Sequence, residues 1–159
     1  FMRWPAGFEG GRGLDQPVHH FDIYATAAGA AGAALPADRI VDGVNLLPWL
    51  RGERDDAPHE ALFWRSGHYQ AVRAGNWKLQ RSDRPARVWL FDLGTDPTEQ
   101  HDLSQERPDV VDALLARLAA HNAQQVSPLW PALAEMPVLV DKTLADPQDP
   151  TDEYVYVPN

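Results

Sequence analysis

The period of apolar and polar positions changes along the chain, and each change predicts an element. From Phe21 to Ala31 the segment FDIYATAAGAA predicts a helix with a small-residue face, stopped by Gly32 just beyond its C-terminus. A second, short helix is expected in NLLPWLRG, with Asn45 as N-cap and Gly52 as the stop. Four runs rich in aromatic and branched residues follow, ALFWR, YQAVRA, WKLQRS and VWLFDL, and read as strands. Gly75-Asn76 alone separates the second run from the third, which predicts a tight hairpin. Pro108 suits a first helical position, and Val110, Val111, Leu114, Leu115 and Leu118 then recur at helical spacing. That stripe is expected to cover one face of a small antiparallel sheet. The opening FMRWPAG reads as a short apolar strand.

These elements divide the chain into residues 1–52, ending at Gly52, a sheet and helix over 53–125, and a proline-rich acidic tail over 126–159. The tail reads as an extended arm. With 159 residues and 44% hydrophobic positions, the chain can bury one sizeable core. Because the chain opens on Phe1 in the middle of a pattern, the expectation is that it is part of a longer protein. A net charge of −9, with Lys78 and Lys142 the only lysines, supplies no basic stripe for nucleic acid. No apolar run approaches the length of a membrane span. Without cysteine, disulfides, thiolate metal sites and a cysteine nucleophile are excluded within these residues. The compartment stays open among periplasmic, secreted and cytoplasmic.

The densest run of polar donors is VWLFDLGTDPTEQHDLS, which holds Asp92, Asp96, Glu99, His101 and Asp102. A calcium loop requires acidic residues at alternate positions with a glycine to turn the chain, a spacing this stretch lacks. Asp96-Pro97 instead starts a turn naturally, Glu99 reads as solvated charge, and His101 is a lone imidazole without a partner at ligand spacing. Among the other histidines, His19 and His20 precede Asp22 at a helix entry. There His20 and Asp22 read as structural, hydrogen-bonding residues and not as a metal pair. His59 reads as surface, and His121 sits well at a helix C-terminus. Trp64, Arg65 and His68 gather around the turn between the first two strands. They are the candidate substrate contacts, since polar and aromatic groups on loops of a rigid sheet commonly touch ligands. The bland alternative makes Trp64 a core residue. Lys78 reads as a solvated cation.

Several of these segments together resemble the formylglycine-dependent sulfatases of the alkaline phosphatase superfamily. LFDLGTDPTEQHDL with its Pro-led helix is similar to the C-terminal signature of that family, and AVRAGNWKLQ to its Arg-x-Gly-x-Trp-Lys-Leu hairpin. DGVNLLPWLRG, FMRWPAG and QPVHHFDIYAT resemble further segments in the same order, with His20, Asp22 and Thr26 matching and Ala25 standing where the family has proline. The resemblance implies an α+β chain: the end of a large α/β sulfatase body, then a small antiparallel sheet packed against one C-terminal helix. It implies a parent that cleaves small-molecule or carbohydrate sulfate esters with a formylglycine residue and calcium. The missing N-terminal region would be the partner of this chain. No Ser, Thr or Cys here begins the formylglycine motif, so no catalytic residue, metal ligand or cofactor is assigned to this chain. A phosphonate or phosphate ester hydrolase of the same superfamily, or a non-catalytic binding module, are the alternative readings.

Overall fold

A computed structural model describes residues 1–127, 129–130, 133–142 and 146–158. The chain separates into two compact units, Phe1–Glu60 and Ala61–Asn159.

In the first unit the helix α1 spans Asp22–Ala30 and the single turn α2 spans Leu47–Leu50. Both end as their glycines require. Gly32 and Gly52 adopt φ of 67° and 75°, a conformation that favours glycine, and the next residues close the ends through Ala33 N–H to Ala28 O and Glu53 N–H to Pro48 O. Asn45 caps α2 from one residue outside the expected position, its Oδ1 accepting the Leu47 N–H at 3.1 Å. The buried face of α1 is Asp22, Ala25 and Thr26, the spacing of one helical stripe. Residues 1–7 form no strand, contrary to the sequence expectation; the Trp4 carbonyl instead accepts the Gly7 and Phe8 N–H groups in a turn. A strand needs a neighbour to complete its ladder, and this unit contains none.

The second unit is a four-stranded meander, β1 Leu62–Ser66, β2 Tyr69–Ala74, β3 Trp77–Asp83 and β4 Ala86–Asp92, antiparallel in chain order. Ala74 pairs with Trp77 across Gly75, whose φ of 59° permits the expected tight turn. Ser66 pairs with Tyr69 in the same way, so Trp64 and Arg65 lie within β1 and only Gly67 and His68 form the turn. This narrows the turn read from the sequence, because a fully paired β1 extends through Ser66.

Strand alternation gives the sheet two buried faces. On one, Val72, Leu79 and Leu90 pack under Leu114 and Leu118 of the helix α3, Pro108–Asn122, with Phe63, Trp77, Val110 and Val111 around them. The helical stripe meets the sheet as its spacing predicts. On the other, Trp89 and Phe91 pack with Val140 and Val155, carried by or beside the hairpin β5 Glu135–Leu139 and β6 Tyr154–Pro158. Residues 126–159 therefore include a hairpin seated on this unit's own sheet, where the sequence suggested an extended arm. The mixed α+β architecture, a small antiparallel sheet with helices, is established.

Candidate functional site

Two polar constellations stand out, one in each unit. The first centres on Asp22, which is fully buried at the start of α1. Its carboxylate accepts the His19 N–H at 2.7 Å, the Val44 N–H at 2.9 Å and His59 Nε2 at 2.9 and 3.0 Å. Burial by itself would raise the carboxyl pKa; the hydrogen bonds from His19, Val44 and His59 outweigh it and hold the group below the usual carboxylate range. Four residues on, Thr26 Oγ1 accepts the Leu46 N–H at 3.0 Å. The helix and the 44–47 segment are thus joined by two side chains one helical turn apart, and the histidine fixes a third stretch of chain to the same carboxylate.

His59 is consequently not the surface residue expected: its side chain is 9% exposed, and its ring meets the edge of Phe21 at 5.6 Å. Its distance of 37 positions from Asp22 leaves no local pattern from which the pair could be read. His20 does not share the carboxylate. Its ring lies 4.2 Å from that of His19, which in turn stacks on Phe21, and both histidines border a cleft of about 680 Å³ with Phe8, Ile23 and Leu46. Desolvation, followed by the neighbouring His20, lowers the His19 pKa despite the attraction of Asp22.

The second constellation occupies the sheet face beside the β5–β6 hairpin. A groove of about 710 Å³ runs there between Trp64 and Tyr69 on one side and Val138 and Val157 on the other, with Arg73, Lys78 and Glu99 also lining it. Lys78 and Glu99 are not the solvated charges that the sequence suggested. Their side chains are 23% and 18% exposed and pair at 2.6 Å, because Glu99, at a φ of 61°, is turned back over the sheet. Gln80 donates to the other Glu99 oxygen and accepts from the Tyr69 hydroxyl at 3.0 Å. Burial, then the charge of Glu99, raises the Tyr69 pKa far above its usual value, so the phenol stays a neutral donor.

The sequence-predicted contacts divide around this groove. Trp64 and Arg65 border it, with Trp64 38% exposed, so Trp64 is neither a core residue nor fully on the surface. His68 stands apart on its turn, Nε2 3.2 Å from Glu135 Oε1, which places it on the β5 side.

The remaining acidic residues of the 88–104 segment hold backbone amides. Asp92 accepts Gly94 N–H at 3.0 Å; Asp96 accepts Gln100 and His101 N–H at 2.7 and 2.8 Å; Asp102 accepts Leu90 and Ser104 N–H at 3.0 and 2.9 Å. These are turn and edge-strand bonds, which is the structural reading of the motif. The His101 side chain is 82% exposed. Among the described residues, no group of three or more His, Asp or Glu is placed to hold a metal ion. The calcium that the resemblance implies for a parent enzyme therefore has no matching ligand set among the described residues.

No family model matches the chain. It is 34% identical to steryl-sulfatase of Mus musculus over 77% of its own length, but spans only 25% of that protein. Its fold superimposes on the crystal structure of Ps i-CgsB with a TM-score of 0.68 at 25% identity, covering 80% of this chain and 29% of that one. BT1596, a 2-O GAG sulfatase, matches with a TM-score of 0.54 at 25% identity, over 62% of this chain and 23% of that one. The chain thus spans about a quarter of the length of each, and it is similar to part of a sulfatase in sequence and in fold.

Proposed function

We propose that this chain is the C-terminal region of an enzyme that hydrolyses sulfate esters, with the nucleophile and any calcium supplied by sequence preceding it. The observation that carries this reading is the coincidence of segments with architecture: the sulfatase-like stretches around Asp22 and Leu46 are hydrogen-bonded to each other through Asp22 and Thr26. The matching Trp-Lys-Leu and Asp-Pro-Thr-Glu stretches likewise meet through Lys78 and Glu99. On α1, Ile23 and Tyr24 are 60% and 55% exposed, an apolar surface suited to packing on a larger body. Trp64, Arg65 and His68 are the proposed substrate contacts in that enzyme. The substrate is a sulfate ester, and a carbohydrate ester, the class that the name of the 2-O GAG sulfatase BT1596 indicates, is favoured by an aromatic and cationic rim.

The test uses the complete enzyme and an aryl or carbohydrate sulfate. His68→Ala should raise KM severalfold and leave the melting temperature nearly unchanged, since the exposed His68–Glu135 pair contributes only about 0–1 kcal/mol. Kinetics unaltered on every ester would remove His68 from the substrate site, and absence of sulfate release by the complete protein would overturn the hydrolase reading.

A further inference from the structure

Charge is distributed against the trend of the molecule in the groove of the second unit. The chain carries a net charge of −9, yet the register of β2 and β3 sets Arg73 directly opposite Lys78 on one sheet face. Like charges facing each other across strands repel, so this pairing opposes folding unless something else meets it. One carboxylate does: Glu99 bonds Lys78 Nζ at 2.6 Å. Arg73 is left with its Nε bond to the Gly75 carbonyl at 3.2 Å and, among the described residues, no ion-pair partner. Arg65 alternates with Trp64 along β1 and shares the face of Phe63, so the unmatched positive charge on the groove face is that of Arg73.

The uncharged walls complete a pattern typical of ligand sites, apolar surface with a few fixed polar groups. Trp64 presents 38% of its surface at the rim, Val138 and Val157 form the facing wall, and on the floor the neutral Tyr69 and Gln80 are hydrogen-bonded in sequence to the Glu99 carboxylate that Lys78 neutralises. A flat indole beside a guanidinium is suited to a sugar ring bearing an anionic substituent, because the ring supplies apolar contact and Arg pairs with sulfate or carboxylate through paired N–H donors. A nucleic acid, a long uniform polyanion, is opposed by the overall negative field.

We propose that this groove is a carbohydrate-binding subsite in which Trp64 carries a sugar ring and Arg73, beside Lys78, holds its anionic group. The preference for sulfate over carboxylate rests on the sulfatase reading; the anion site itself does not. The 159-residue chain would be titrated by calorimetry with a sulfated neocarrahexaose-type oligosaccharide, its desulfated form, an oligogalacturonate and a thymidine oligonucleotide. The sulfated sugar should bind, and desulfation, Arg73→Gln or Trp64→Ala should each weaken it by about tenfold or more. Arg117→Gln, on the helix across the sheet, should change nothing, and circular dichroism of each variant checks folding. Tight binding of the oligogalacturonate as well would support the anion site while removing its sulfate preference. The proposal is overturned if neither anionic sugar binds, if the desulfated sugar or the oligonucleotide binds equally well, or if folded Arg73→Gln and Trp64→Ala bind like the parent chain.

Discussion

Replacing Trp89 with alanine is expected to destabilise the second unit by about 3–5 kcal/mol, the usual cost of removing a large buried aromatic. Trp89 is 1% exposed and is the centre of the core beneath the β5–β6 hairpin. It also donates its indole N–H to Glu153, which is itself paired with Arg87 at 2.5 Å. The substitution therefore opens a cavity and removes the polar bond that ties residue 153 to the sheet. For a unit of this size the melting temperature should fall by on the order of 15 °C, and hydrogen exchange should show amides of β6 losing protection before those of α3. A fall of only a few degrees would mean that the hairpin contributes little to this unit.

Asp22→Ala should have a comparable effect in the first unit, about 3–5 kcal/mol, because removing a buried charged partner strands the groups bonded to it. Those groups are the amides of His19 and Val44 and the His59 ring. Localised exchange at Val44 and His19 would report the loss; protection equal to that of the parent chain would exclude it. The same carboxylate sets an acid limit. Its folded-state pKa lies below the ordinary value of about 3.9, so the stability it contributes is fully present above that pH and disappears as the pH falls through the lower folded value. Asp22→Asn should lose much of that acid dependence, which an unfolding series between about pH 5 and 2 would measure.

What could be read from the sequence was local. Glycine at positions that require positive φ, proline at a first helical residue, and the recurrence of Val110, Leu114 and Leu118 each constrain a few neighbouring residues. The corresponding turns and helix are found where those constraints place them. The fold class follows from the same signals. The candidate sites depended on long-range pairing and were legible only in part. His59 meets Asp22 across 37 positions, Glu99 meets Lys78 across 21, and Trp89 meets Glu153 across 64. A solvated reading of an isolated Lys, Glu or His is the sound expectation when no local partner exists; burial against a distant strand reverses it. Trp64 was undecided between core and surface because an edge-strand aromatic at a groove rim belongs to neither class.

The meander also has a consequence for the order in which this unit assembles. Its strands follow one another through minimal turns and α3 comes next in the chain, so the contacts of one core close short loops. The opposite core requires residues near 140 and 155 to find Trp89 and Phe91, after a much longer loop has closed. Loop-closure entropy favours the short contacts first. Sheet and helix should form the nucleus, with the hairpin docking late. Substitutions at Leu79 or Leu114 would then slow folding, while those at Val155 would mainly speed unfolding, so the lifetime of the native state would be governed by the chain's last few residues.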